Sequence, residues 1–172
     1  TAMPSNRARG ASDASTARPV AKRVRSRSRT NSITTVASCV SIGRAGLLGV
    51  TIPASEGGPG LDVFASALIL QGIARWNPAV ALSWLAHENL CVNNILRNGD
   101  AEQRRRYLPG LADGTQVGAL ALTEPGAGSD AIGSMATTAR RDGDHYLLRG
   151  RKLYITNGPI ADVILVYAKT AP

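Results

Sequence analysis

Residues 117–130 read Val117-Gly118-Ala119-Leu120-Ala121-Leu122-Thr123-Glu124-Pro125-Gly126-Ala127-Gly128-Ser129-Asp130. At this point the apolar period changes from 3.6 to 2 residues, so residues 117–123 are predicted to form a strand. The proline and the small residues that follow favour a tight loop, which lets the backbone approach a ligand closely. Free amides and the Ser129 hydroxyl in such a loop are suited to an anion such as a pyrophosphate.

The same loop matches the relaxed dinucleotide fingerprint Gly126-x-Gly128-x-x-Ala131. A Rossmann turn must open a helix that crosses back to a parallel strand. Residues 132–141 are too short and too β-branched for that helix, and they lead into a hairpin. A Rossmann turn and an ordinary tight loop remain as alternatives to a phosphate-binding loop of another fold.

A second motif lies downstream, Gly150-Arg151-Lys152-Leu153-Tyr154-Ile155-Thr156-Asn157-Gly158. Residues 152–156 are predicted to form a strand, which would place Tyr154 and Thr156 on one face. An aromatic ring can cover one side of a planar cofactor while a hydroxyl donates a hydrogen bond to it. A sheet with a core tyrosine would explain the strand equally well if the motif stood alone.

Further strands are expected around both motifs. Residues 137–141 and 145–148 flank the Asp142-Gly143 turn, and residues 163–168 form another apolar run. This pattern predicts an antiparallel hairpin and one more strand. We therefore expect antiparallel β structure from residue 115 to residue 172.

Residues 43–114, in contrast, show helical patterning. Asp62 is placed to cap a helix that ends at Asn77-Pro78, where a second and longer helix is expected over residues 79–97. Gly99 is predicted to end that helix in a left-handed conformation, and Asp100 to cap the next. The fold class is therefore α+β.

Residues 1–42 carry most of the charge imbalance of this chain, whose formal net charge is +8. Through Arg44 nine basic residues face a single acid, Asp13, while the rest of the chain is nearly balanced. The segment lacks an apolar period and is predicted to be disordered. Its Arg/Ser-rich composition is typical of a mitochondrial transit peptide. An extension without function remains open, as does a non-catalytic protein whose basic leader binds nucleic acid or another acidic partner. The Arg25–Arg29 tract suggests the last, although no aromatic residue is interleaved there for base stacking.

Several function classes are disfavoured by the sequence. No apolar run is long enough to cross a bilayer, so no membrane partner is expected. Cys39 and Cys91 have neither disulfide-framework nor zinc-ligand spacing. The tract His87-Glu88-x-x-Cys91 has cysteine where a zincin helix needs its second histidine, so no metal site is predicted. With two histidines and no nucleophile elbow, a serine-hydrolase triad is unsupported.

Together the motifs resemble the acyl-CoA dehydrogenase family over roughly residues 41–172. The resemblance rests on Ala-Leu-Thr-Glu-Pro-x-Ala-Gly-Ser-Asp at 121–130, Asp144-x-Tyr146-x-Leu148-x-Gly150-x-Lys152, Ile155-Thr156-Asn157-Gly158 and Ala161-Asp162. Residues 49–60 resemble that family's early loop. Residues 86–99, Ala-His-Glu-Asn-Leu-Cys-Val-Asn-Asn-Ile-Leu-Arg-Asn-Gly, are similar to its isovaleryl-CoA dehydrogenase branch.

The resemblance implies a partial acyl-CoA dehydrogenase fold, in which a helical N-terminal domain (43–114) precedes an incomplete antiparallel β-barrel-like domain (115–172). It also implies FAD as cofactor, with Leu122 and Thr123 on the pyrimidine side, Ser129 on the pyrophosphate and Thr156 near flavin N5. Tyr154 replaces the family's usual tryptophan over the flavin. The Gly126–Asp130 loop becomes a flavin-phosphate loop.

The family's reaction removes the α-proton of an acyl-CoA thioester and passes the β-hydrogen as hydride to flavin. Its catalytic base is a glutamate in a C-terminal domain, so no catalytic residue is assigned here. Glu88 and Glu124 are expected to be structural, and the chain alone is expected to have little activity. The resemblance further implies an electron-transfer flavoprotein as acceptor, a homotetramer for the full-length family and a mitochondrial matrix location. Nucleic acid is not an expected partner of the folded part.

Overall fold

The computed structural model describes residues 19–23 and 33–170. It contains five α-helices, α1 to α5, and five strands, β1 to β5, within those residues. In chain order they are β1 Pro19–Arg23, α1 Ile33–Arg44, α2 Val63–Trp76, α3 Pro78–Leu85, α4 Asn93–Asn98, α5 Ala101–Ala112, β2 Gly118–Ala121, β3 Thr138–Asp142, β4 His145–Arg149 and β5 Val163–Tyr167. A 3₁₀ turn spans Ala54–Glu56, and a π-helical segment spans Ala86–Val92.

The predicted caps at the N-termini of the helices are confirmed. The Asp62 carboxylate accepts from the Ala65 amide at 2.8 Å and begins α2. The Asn77 side chain accepts from the next two free amides of α3, with Pro78 in the first turn. Asp100 and Gln103 form a reciprocal capping box at the start of α5. Polar caps therefore set where α2, α3 and α5 begin.

The long helix expected over residues 79–97 is present but is not uniform. Its middle, Ala86–Val92, is π-helical, so its hydrogen bonds span one more residue than those of an α-helix. Apolar spacing in the sequence does not reveal this feature. The prediction for Gly99 was wrong, because this residue is extended, with φ −74° and ψ 147°. A Cβ on Gly99 would lie 2.5 Å from the Ile95 carbonyl oxygen, so glycine is needed there for close approach.

Two clusters of buried apolar side chains form the core. The smaller cluster joins Leu48 and Val50 to Trp84, whose indole N–H donates to the Leu47 carbonyl at 2.7 Å. The larger cluster joins both halves of the protein. Its members are Ile52, Cys91, Val92, Ile95, Tyr107, Leu108, Leu111, Val163 and Leu165. Because Val163 and Leu165 belong to β5, this strand packs directly on α4, α5 and the π-helical segment.

The β part differs from the prediction in two places. β2 and β5 pair in parallel, and β1 adds to the other edge of β5 in antiparallel register, giving the order β1-β5-β2. The expected antiparallel hairpin is present as β3 and β4, with Gly143 at φ 58° in the turn. Residues 152–156 do not form the expected strand. The Leu153 amide donates to the Thr123 carbonyl, but among the described residues no ladder of backbone hydrogen bonds follows from it. The described strands do not close into a barrel.

The described part of the leader also differs from the prediction. Instead of disorder, the structure has β1 on the sheet edge offered by β5 and α1 beginning at Ile33. The sequence has apolar residues at 33, 36 and 40, a helical spacing that the surrounding Ser and Thr residues obscure. Cys39 on α1 is buried. Residues 1–18 and 24–32, including the Arg25–Arg29 tract, lie outside the described residues.

A five-residue connection, residues 113–117, leads from α5 to β2. The Asp113 carboxylate accepts from the Thr115 amide at 2.8 Å, and the Gln116 amide donates to the Gly110 carbonyl at 2.8 Å. At its end the Val117 amide donates to the Asp162 carboxylate at 3.0 Å. The connection is therefore bonded to both the helical part and the β part.

Candidate functional site

The two sequence motifs lie side by side in the structure. The Leu153 amide donates to the Thr123 carbonyl at 2.9 Å, and the Lys152 ammonium donates to the Leu122 carbonyl at 2.9 Å. These bonds bring the end of the 117–123 segment against the 150–158 segment, 30 residues later in the chain. Leu122 and Thr123, two of the predicted cofactor contacts, are half-buried at this junction.

Glu124 is the centre of a buried polar cluster behind the junction. Its carboxylate accepts from the amides of Ala136 and Thr137 at 2.7 and 3.0 Å and pairs with Lys152 at 2.8 Å. Burial raises the pKa of the Glu124 carboxyl, but the hydrogen bonds from Lys152 and the two amides outweigh burial and hold the pKa at about 2. Such a carboxylate is already fully engaged and ties the loop together, so it is not available as a base.

The loop that follows leaves its outer side open. Glu124 and Ala127 exchange two backbone hydrogen bonds, of 3.0 and 3.1 Å, which form a tight turn. Asp130 closes the next turn by accepting from the Ser134 hydroxyl at 2.5 Å. Ser129 is exposed, and a Cβ added to Gly126 or Gly128 would meet no atom within 4 Å. The glycines are therefore not required for packing within the described protein, and the space beside them can admit a ligand.

Tyr154 and Thr156 do not lie on a strand, so the prediction that they share one strand face was wrong. Tyr154 has φ 57°, a left-handed conformation that breaks the alternation of side chains. Its ring is 86% exposed, whereas Thr156 is half-buried. Within the described residues, other side chains therefore cover little of the Tyr154 ring.

Comparison with known families decides how the paired motifs are to be read. Residues 8–115 match the model of the acyl-CoA dehydrogenase N-terminal domain, and residues 119–172 match that of the acyl-CoA dehydrogenase middle domain. The chain belongs to the acyl-CoA dehydrogenase family. The boundary between the two matches coincides with the connection between α5 and β2.

Individual relatives agree with this membership. The chain is 51% identical over 129 residues to mitochondrial isovaleryl-CoA dehydrogenase from Bos taurus, covering 75% of this chain and 30% of the relative. It is 44% identical over 131 residues to an acyl-CoA dehydrogenase from Bacillus subtilis, covering 76% and 34%. A crystal structure of acyl-CoA dehydrogenase complexed with FAD from Bacillus anthracis superposes with a TM-score of 0.76 at 43% identity, covering 81% and 24%. The chain thus spans about a third of the length of its curated relatives.

For an acyl-CoA dehydrogenase, the chemistry of the site residues fits a flavin nucleotide. Within the described residues, the hydroxyls of Ser129 and Thr156 make no hydrogen bond to another side chain or to the backbone, and both have solvent access. Open glycines adjoin Ser129, and Tyr154 supplies a flat, accessible ring. Hydroxyl and amide donors suit the phosphates, and an aromatic face suits the isoalloxazine.

Two neighbours on the π-helical segment, His87 and Cys91, have structural roles. His87 is fully buried, with Nε2 3.0 Å from the Leu111 carbonyl and Nδ1 accepting from the Gly118 amide at 3.0 Å. Burial lowers the pKa of His87 to about 4 and raises the pKa of Cys91 to about 12. The imidazole is thus neutral and the thiol inert at neutral pH. Among the described residues no group of three His, Cys, Asp or Glu side chains could hold a metal ion.

Glu88 holds the early loop in place. Its two carboxylate oxygens accept from the amides of Gly49 and Val50, each at 2.8 Å, and the side chain is fully buried. Burial raises the pKa of this carboxyl, although the amides act in the opposite direction. Both oxygens are occupied by backbone donors, so Glu88, like Glu124, has a structural role.

Sequence reasoning missed two residues that shape the site. Nothing in the sequence pairs Lys152 with Glu124, because 28 residues separate them and the first lies in a predicted strand. Asn157 belongs to the second motif, but the sequence predicts no separate role for it. In the structure it is buried and bonded to two distant elements. Its φ of 64° explains why asparagine suits the position, since asparagine tolerates the left-handed region better than most residues.

Proposed function

We propose that the chain supplies the helical N-terminal part and the beginning of the flavin-binding β part of an FAD-dependent acyl-CoA dehydrogenase acting on a short or branched acyl-CoA such as isovaleryl-CoA. The observation that carries the proposal is the hydrogen-bonded junction of the 122–124 and 152–153 segments, which places the two family motifs side by side. The substrate class follows from the isovaleryl-CoA dehydrogenases among the relatives.

In this proposal each site residue has a defined task. Leu122 and Thr123 contact the pyrimidine edge of the flavin, and Ser129 donates to the pyrophosphate. Thr156 donates a hydrogen bond near flavin N5, while the Tyr154 ring covers one face and excludes water. FAD, when bound, supplies the electron-accepting centre for hydride from the substrate β-carbon.

The α-proton of the thioester needs a base, and neither buried glutamate of the described residues is free to act as one. Of the two buried glutamates, Glu88 is engaged by the Gly49 and Val50 amides, and Glu124 by Lys152 and two more amides. We therefore propose that the base is a glutamate of the whole enzyme's C-terminal domain. The acceptor of the electrons is proposed to be an electron-transfer flavoprotein, and the assembled enzyme a homotetramer.

A mitochondrial matrix location is part of the same proposal. Relatives from Bos taurus, Pongo abelii and Arabidopsis thaliana are named mitochondrial, whereas a relative from Bacillus subtilis is bacterial. No helix among the described residues is long and apolar enough to cross a membrane.

Gly128→Val tests the cofactor site. A Cβ added at this position meets no atom within 4 Å, so we expect the fold to keep its stability, while the valine would occupy the side on which the pyrophosphate is proposed to lie. We expect FAD to bind at least about tenfold more weakly in a fluorescence titration, since a charge-assisted hydrogen bond is worth about 1.5–3 kcal/mol.

Gly72→Ala is the matched control, because Gly72 on α2 also has no atom within 4 Å of an added Cβ but lies outside the site. Its FAD affinity should equal that of the wild type. Equal affinities for Gly128→Val and the wild type would contradict the proposed pyrophosphate position.

Turnover by the 172-residue chain tests the assignment of the base. Supplied with FAD, isovaleryl-CoA and an artificial electron acceptor, the chain should give little or no product, because its two buried glutamates are already bonded within the fold. A rate comparable to that of a complete relative under the same assay would show that this chain contains its own base.

A further inference from the structure

Asn157 connects three elements through one side chain. Its Nδ2 donates to the Ser83 carbonyl on α3 at 2.9 Å and to the Gly118 carbonyl at the start of β2 at 3.2 Å. The residue is only 8% exposed and has a left-handed φ of 64°. It sits in a turn in which the Gly158 amide donates to the Ile155 carbonyl at 2.9 Å. Thr156 lies within this turn.

Gly118, whose carbonyl accepts from Asn157, is also held through its amide. The Gly118 amide donates to Nδ1 of His87, which is buried on the π-helical segment. A Cβ on Gly118 would lie 2.7 Å from the Cys91 sulfur, so the strand is pressed directly against the helix. The start of β2 is therefore fixed on the helical part. Leu122 lies four residues after Gly118, so the position of the Leu122–Thr123 segment is fixed with it.

We propose that Asn157 is a positioning residue, which holds the Ile155–Gly158 turn against α3 and β2 and so sets the Thr156 hydroxyl relative to Leu122 and Thr123. The proposal rests on the FAD site described above and names the group that aligns its two halves. Both segments share one anchor, Gly118, so loss of the Asn157 amide would free one segment and leave the other in place.

A purely conformational role for Asn157 is the competing explanation, and glycine separates the two. Asn157→Gly keeps the left-handed backbone accessible while removing both hydrogen bonds, whereas Asn157→Ala removes the bonds and strains the backbone as well. If only φ mattered, glycine would restore the wild-type behaviour that alanine loses. If the amide matters, both variants should be impaired.

The experiment uses the full chain and two readouts. FAD is titrated into the wild type and the two variants while the visible flavin absorption band is recorded, because hydrogen bonding to the flavin ring nitrogens tunes its electronic state. Amide hydrogen exchange is followed in parallel over residues 153–158, with the β3–β4 hairpin as internal reference. We expect about tenfold weaker FAD binding and a shifted flavin band for Asn157→Gly.

The FAD titration and the hydrogen-exchange measurement each test the positioning role of Asn157. Wild-type FAD affinity and an unshifted band in Asn157→Gly would overturn the proposal. If the wild-type chain takes up no FAD, the proposed function fails for this chain, and hydrogen exchange then tests the positioning role separately. Faster exchange over 153–158 in Asn157→Gly with an unchanged hairpin would support that role, and unchanged exchange over 153–158 would overturn it.

Discussion

Lys152→Met should lower the free energy of unfolding by about 3 kcal/mol or more, because it removes one partner of a buried ion pair. The Lys152 and Glu124 side chains are 11% and 4% exposed, so the remaining carboxylate has little access to water. The Leu122 carbonyl would also lose its donor. Urea unfolding followed by circular dichroism gives the difference.

Two comparisons make this measurement specific. Arg151→Met removes the same charge from the exposed neighbouring residue and should change stability by no more than about 0.5 kcal/mol. Adding Glu124→Gln to Lys152→Met removes the unpaired charge and should recover part of the loss. A Lys152→Met protein as stable as Arg151→Met would show that the pair is not what holds the loop.

The same pair explains why the site could be predicted only in part. The helix caps at Asp62, Asn77 and Asp100 depend on residues within three positions of one another, so the sequence alone predicts them. The hairpin at Asp142-Gly143 is equally local. Lys152 and Glu124 meet only because the chain folds back over 28 residues, and no local pattern encodes that contact.

Errors in the prediction have equally physical causes. Tyr154 follows the alternation of a strand in the sequence, but its φ of 57° lies outside the range that a strand adopts. The parallel pairing of β2 with β5 is a long-range contact across 41 intervening residues. The π-helical segment preserves apolar spacing well enough to be read as ordinary helix. The family motifs predicted more of the site than periodicity did, although its cofactor contacts remain predictions.

Stability should fall as the pH is lowered from about 6.5 to about 4, and His87 should be a main cause. Burial holds its pKa near 4 in the folded protein, whereas the unfolded chain has the ordinary value of 6.5. Between these values the unfolded state binds the extra proton, so the contribution is complete above pH 6.5 and is lost towards pH 4. A shift of this size corresponds to about 3 kcal/mol.

The His87 contribution can be isolated by difference. Glu88, whose pKa is raised by burial, changes stability in the opposite direction as the pH falls, so total profiles alone are not diagnostic. His87→Gln should be less stable at pH 7 and should lose a smaller amount between pH 7 and pH 4. His145→Gln alters the chain's other histidine, which is exposed, and should retain the wild-type profile. Parallel profiles for His87→Gln and the wild type would contradict the assignment.

The bonded connection between α5 and β2 also bears on how the molecule moves. A five-residue link between two parts of a protein would usually serve as a hinge. Here the Gln116 amide is bonded to the Gly110 carbonyl of α5 and the Val117 amide to the Asp162 carboxylate, while Asp113 braces the link from within through Thr115. Rotation of the helical part against the β part would break the Gln116 and Val117 hydrogen bonds and disrupt the core that both parts share. The contacts of residues 125–134 are mostly local, and local contacts open at lower free energy than a core does. We therefore expect local opening at that loop rather than rotation of the helical part against the β part.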